Sequence, residues 1–154
     1  MPKRRIPHAE LHLERFLPYR LSVLSNRVSQ DISDLYSARF NLSITEWRVM
    51  AVLGQQSPLS ANTVAERTAM DKVAVSRAVS GLLHKSFLTR TTDTGDRRRS
   101  SLQLSTAGYA VFDEIVPLAL GIEHKILQAL PKAEQRQLLA ILDKLEAAEL
   151  ALGS

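Results

Sequence analysis

The sequence predicts a mainly α-helical fold that carries one small β-hairpin. Three observations lead there. Apolar residues recur at steps of three and four along several stretches. Ser or Asp residues with capping geometry stand before most of those stretches. A single pair of short β-prone segments flanks a glycine-bearing turn. At 154 residues with no cysteine, the chain is long enough to bury one core without disulfides or structural metal. The missing cysteines exclude thiolate catalysis, Fe–S clusters, cysteine zinc sites and thiol switches.

The elements follow in order. Leu17, Leu21, Leu24, Val28, Ile32 and Leu35 share one helical face, and Pro18 fits the first turn of that helix or marks a kink in it. Ser43 and Glu46 have capping-box spacing at the start of a second helix. Its core face is Trp47, Met50 and Leu53, or alternatively Val49 and Val52, and Ser57-Pro58 ends it. Ser60 caps a third helix over about 61–68, with Val64 and Ala65 inward. Thr68-Ala69-Met70 makes a tight turn. Asp71 then caps a fourth helix to about Lys85, with a buried stripe of Val75, Val79, Leu82 and Leu83.

The opposite face of that fourth helix shows Lys72, Val73, Ser76, Arg77 and Ser80, which are small or cationic. A short helix, a three-residue turn and such an amphipathic helix spell helix-turn-helix. Small residues allow close approach to base edges, and cations neutralise phosphates. Residues 88–92 and 100–104 form the hairpin, with Asp93-Thr-Gly-Asp-Arg-Arg-Arg99 between them. A hairpin presenting Arg97, Arg98 and Arg99 is a wing suited to a narrow minor groove. Asp96 is placed to brace Arg98 through a charge-assisted bond.

Charge is concentrated on these elements. Lys72, Arg77, Lys85, Arg90 and the three wing arginines, set against Asp93 and Asp96, give residues 72–99 a net +5, whereas the whole chain carries +4. That is the footprint of a polyanion-binding surface.

Ser105 caps the next helix, whose apolar positions include Val111, Phe112, Ile115, Val116, Ala119, Ile122, Ile126 and Leu127. Pro117 and Gly121 predict a bend or break within it. Pro131 opens a last helix lined by Leu138, Ile141, Leu142, Leu145 and Leu150. These faces exceed what one winged domain covers and, with the first helix, predict a dimerisation unit. The expected fold is thus a winged helix-turn-helix plus a helical dimerisation region. Residues 1–40 form an N-terminal arm and dimerisation helix, 41–105 the DNA-binding region, and 106–154 the C-terminal dimerisation helices, in one compact domain.

The chain resembles the MarR (multiple antibiotic resistance regulator) family. The likeness rests on Leu42-Ser-Ile-Thr-Glu-Trp-Arg-Val-Met50, Val75-Ser-Arg-Ala-Val-Ser-Gly-Leu-Leu83, Asp96-Arg-Arg98 and Leu102-Gln-Leu-Ser-Thr-Ala-Gly108 in that order. The resemblance implies a homodimer of six-helix subunits reading a palindromic operator in double-stranded DNA. Arg98 matches the arginine that enters the minor groove, Asp96 its bracing acid, and Asp71 to Arg77 the start of the recognition helix. Ala74 departs from the commoner Ser or Thr. The resemblance also implies a repressor released by a small-molecule effector, and redox-sensing members use cysteine, which this chain lacks. An aromatic or acyl-thioester ligand is therefore expected, in a crevice lined by Tyr19, Arg20, Leu24, Trp47 and Phe112, with Arg20 suited to a carboxylate or phosphate.

Other functions find little support in the residues. No Gly-rich phosphate loop, HExxH or Gly-x-Ser-x-Gly turn occurs, so no catalytic residue, cofactor or metal is expected. His8 and His12 stand four apart without a clear third ligand, and Lys3-Arg4-Arg5 reads as a solubilising tail. No apolar run reaches the roughly 20 residues that span a bilayer, and the basic N-terminus lacks a signal-type apolar core. A cytoplasmic protein without membrane partners is the expectation. The rival reading is a winged-helix module that binds protein rather than DNA, which would expose large apolar residues on the fourth helix.

Overall fold

The computed structural model describes residues 8–92, 95 and 100–152. After a single 3-10 turn at Leu13–Arg15 come α1 (Leu17–Phe40), α2 (Ile44–Gln55), α3 (Ala61–Thr68) and α4 (Lys72–His84). Then β1 (Leu88–Thr92) pairs antiparallel with β2 (Ser100–Leu104), and α5 (Thr106–Leu127) and α6 (Lys132–Leu152) close the chain. The mainly α fold with one hairpin is as expected. No described helix is long and apolar enough to cross a membrane.

Local chemistry accounts for most boundaries. Pro18 sits in the first turn of α1, where its missing N–H costs nothing. The α1 helix stops at Asn41, which takes a left-handed conformation at φ 52°. Ser43 and Glu46 form the full capping box, each side chain meeting the other's backbone N–H at 3.1 Å. Ser60 and Asp71 accept from the N–H groups of Thr63 and Ala74, at 3.1 and 2.9 Å, and so start α3 and α4. Between those helices Ala69 takes the left-handed turn position at φ 52°.

The end of α4 has no glycine, yet it closes in a Schellman pattern. Ser86 is left-handed at φ 62°. Its N–H bonds Leu83 O at 3.1 Å, and the Phe87 N–H bonds Leu82 O at 2.9 Å. This closure turns the chain straight into β1. The hairpin pairs Leu88 with Leu104 and Arg90 with Leu102. Leu59, in the α2–α3 loop, adds one bridge to the outer edge of β2, with paired bonds to Leu102 of 3.1 and 2.7 Å.

The core gathers Tyr36 of α1, Val49, Met50 and Leu53 of α2, Val64 of α3 and Val75, Val79 and Leu82 of α4. Leu88, Leu102 and Leu104 of the hairpin and Val111 and Ile115 of α5 complete it. Two expectations need correction. Leu83 is half-buried while Ala78 is buried, because α4 turns its 75/78/79/82 face to α2. The α5 helix also has no break at Pro117, so of the expected bend or break the break is excluded. One missing N–H leaves the turns on either side bonded, and Asp113, whose carbonyl loses that partner, is on the exposed side.

Burial is uneven. All buried residues of α5 lie in its first half, and α6 has none. Leu120, Ile126, Leu139, Ile141, Leu145 and Leu150 remain exposed within the chain. At the other end of α5, Gly108 presses on the turn that follows α4. A Cβ there would lie 2.1 Å from Phe87 O, which also accepts from the Ser105 N–H. Gly108→Ala is therefore expected to cost about 1–3 kcal/mol, read as a lower denaturant midpoint with unchanged slope. An unchanged midpoint would show that the α5 start is free to shift.

Candidate nucleic-acid interface

The outward face of α4 is held in place from behind. Lys85, at its C-terminal end, donates to both Glu46 carboxylate oxygens at 3.0 and 2.9 Å and also to the Asn41 carbonyl. Glu46 already accepts from the Ser43 N–H, so one carboxylate serves the α2 cap and the α4 anchor. Both side chains are largely withdrawn from water, 12% exposed for Glu46 and 23% for Lys85. Gly81 makes the approach possible, since a Cβ at that position would stand 2.9 Å from Glu46 Oε2. Lys85 is thus an internal tie and no part of an anion-binding surface.

With α4 fixed, Lys72, Val73, Ser76, Arg77 and Ser80 are all exposed. Val73 is 61% exposed and is the single large apolar side chain among these five. On the hairpin, Arg90 lines a cleft beside this face with Lys72 and Ser76. Arg97, Arg98, Arg99 and the bracing Asp96 lie outside the described residues, as does the Lys3-Arg4-Arg5 arm.

The five ligand-crevice residues fall into two groups. Tyr19, Arg20 and Leu24 line an open cavity of about 520 Å³ along α1, together with Glu14, Leu17 and Arg27. Trp47 and Phe112 do not line it. Their rings pack 5.9 Å apart, Trp47 also meeting Tyr36 at 5.8 Å and Phe112 meeting Tyr109 edge-on at 6.5 Å. The Phe112 ring fills the space that Gly54 leaves open on α2. At the base of this cluster Tyr36 is 1% exposed, and its hydroxyl has no hydrogen-bond partner among the described residues. Burial pushes its pKa up.

His12 lies 3.8 Å from Glu10 and 3.7 Å from Glu14 in an exposed segment. Among the described residues no three His, Asp or Glu are grouped to hold a metal ion. Three features went unread in the sequence. The Glu46–Lys85 tie had one signal, a glycine kept inside a helix. Alternation along 88–92 put Arg90 on the face of Leu88 but gave no sign of what it meets, and the Leu59 bridge had no signal.

The sequence profile of the MarR family matches residues 40–99, a span that covers the anchor, the helix-turn-helix and β1. A MarR/EmrR family transcriptional regulator from Acinetobacter sp. ADP1 superposes with TM-score 0.81 at 27% identity, over 90% of this chain and 97% of that one. Over this span the chain is similar to the MarR family. YwaE of Bacillus subtilis (strain 168), an uncharacterized HTH-type transcriptional regulator, is 27% identical over 68% of this chain. The HTH-type transcriptional repressor NicR of Pseudomonas putida is 25% identical over 68%. The matched stretch spans 61% and 66% of those two relatives' own lengths. The same fold recurs at 22% identity in S. aureus MepR in a DNA complex, with TM-score 0.76 over 86% of this chain and 98% of that one.

The anchor ties the C-terminal end of α4 to the start of α2. Lys85→Met leaves the Glu46 carboxylate half-buried without its cation and is expected to cost about 2–4 kcal/mol. Glu46→Gln in the same chain should recover part of that loss. A double variant as destabilised as the sum of the two singles would contradict the coupling, and chemical denaturation measures it.

Proposed function

We propose that this chain is a DNA-binding transcriptional regulator that works as a homodimer and is released from a palindromic operator by a small organic ligand. The observation that carries the reading is the exposed face of α4, where Lys72, Val73, Ser76, Arg77 and Ser80 stand clear of the core on a helix anchored from behind. Hydroxyls and a methyl-bearing side chain suit base edges, and cations suit phosphates. Arg97, Arg98 and Arg99, with Asp96 bracing Arg98, are assigned to the minor groove. A protein-binding module is the poorer reading, since Val73 alone offers apolar area on that face.

Pairing is supported by the apolar side chains that α1, α5 and α6 leave exposed. Residues 1–40 and 106–154 would then form the dimer region, with 41–105 as the DNA-binding region between them. Two copies would place their α4 helices in successive major grooves about 34–36 Å apart. A ligand lowers operator affinity only if it binds better to a dimer with the wrong spacing. An aromatic acid or acyl-thioester remains the proposed class, with Tyr19, Arg20, Leu24, Trp47 and Phe112 its candidate contacts. Because the structure sets these residues in two groups, the second group would be reached by repacking or through the partner copy.

Selection of bound duplexes from a random pool tests the reading. Arg98→Ala is expected to weaken the selected site and to flatten its salt dependence by about one phosphate contact. Salt titrations that superpose for the two proteins would remove the wing from the interface. Arg77→Ala or Ser76→Ala should change which duplex is selected. For the ligand, a panel of aromatic acids and acyl-thioesters should contain a compound that both raises the melting temperature and frees the DNA. A panel in which stabilisation and release never coincide would leave the regulator without this class of effector.

A further inference from the structure

The hairpin carries an arginine on its inner side. Side chains alternate along a strand, and Arg90 is paired across the ladder with Leu102. It therefore leaves β1 on the same face as Leu88, which is buried with Leu102 and Leu104 in the core. Arg90 lies beyond the edge of that core and reaches over α3 and α4. There it lines a cleft of about 280 Å³ with Asn62 of α3 and Lys72 and Ser76 of α4, over a floor that includes Ala65 and Val75.

Among the described residues the charge of this cleft is uncompensated. None of the residues lining it is acidic. Asp71, adjacent to Lys72, is used by the Ala74 N–H as the helix cap. Neither Lys72 nor Arg90 has an ion-pair partner among the described residues. Two cations facing one space repel until an anion enters it. The groups present are donors: a guanidinium, an ammonium, an amide and a hydroxyl. Lys72 also opens α4, where the helix dipole favours negative charge. The neighbouring groove between α2 and α4, which Arg77 lines, has the paired Glu46 and Lys85 in its wall and so holds one unpaired cation where this cleft holds two.

We infer that Asn62, Lys72 and Arg90 form a seat for one DNA backbone phosphate, which clamps the hairpin to the helix-turn-helix when the duplex binds. The inference rests on the DNA-binding reading and adds Arg90 and Asn62 to the interface. The seat fixes position on the duplex and reads no base. It also sets the hairpin at one angle to α4, because the same phosphate is held from β1 and from α4.

The test uses the full chain and a duplex selected by it from a random pool. Methylphosphonate is placed at one backbone position at a time, which removes a single phosphate charge. For the wild type, one position beside the α4 contact should weaken binding about tenfold when neutralised. Arg90→Gln should weaken the unmodified duplex by a similar factor, abolish the penalty at that one position and lower the salt slope by about 0.9 per seat. Its selected sequence should not change, and Arg90→Lys should restore part of the affinity. Superposed melting curves for wild type and Arg90→Gln establish that the fold is intact. An Arg90→Gln protein that keeps every methylphosphonate penalty overturns the seat while leaving DNA binding standing. So does a cleft that responds to inorganic phosphate while no backbone position is sensitive to Arg90. A chain that retains no duplex from the pool overturns both readings.

Discussion

The geometry of the helix-turn-helix depends on one half-buried ion pair, Glu46 with Lys85. Removing two charges from water is expensive, and Coulomb attraction offsets that only when the remaining hydrogen-bonding capacity is also met. Here it is met. Glu46 accepts from Lys85 and from the Ser43 N–H, and Lys85 donates in addition to the Asn41 carbonyl. The pair therefore joins the end of α1, the start of α2 and the end of α4 at a single point. Gly81 is small because that point lies against it. Every exposed side chain on α4 inherits its direction from this node.

A second constraint acts through packing. The buried core is confined to the α2–α4 region, the hairpin, the first half of α5 and the far end of α1. Beyond it, α5 and α6 run on with leucines and isoleucines in solvent. A ledge of this kind on an otherwise well-capped chain is the surface that the proposed pairing would cover. The Arg39–Glu114 ion pair fastens α1 to α5 where the ledge begins, and the Arg48–Ser29 bond of 3.0 Å fastens α2 to α1.

Legibility in the sequence followed the range of the interactions. The Ser43, Ser60, Asp71 and Ser105 caps act on N–H groups three residues ahead, so they can be read by eye. The hairpin limits of 88–92 and 100–104 were legible from alternation and a glycine-bearing turn. The Schellman closure at Ser86 was hidden because a serine occupies a position usually held by glycine. The continuity of α5 through Pro117 was hidden for a similar reason, since a proline is a local warning that the surrounding turns can outvote.

Sequence alone determined the order and type of the elements, the composition of the exposed α4 face and the family likeness. All of these are set by neighbours within a turn or a strand pair, or by residue identity itself. Tertiary structure alone decided what the cations do. Lys85 counts as positive charge in the sequence but is spent against a carboxylate 39 residues away. Arg90 looks like an ordinary strand residue until the hairpin docks and turns its inner face over α3 and α4. Tyr19, Arg20 and Leu24 are likewise set apart from Trp47 and Phe112. A charge or a ring acquires its partner only when distant segments meet, and the packing of those segments is a property of the whole core.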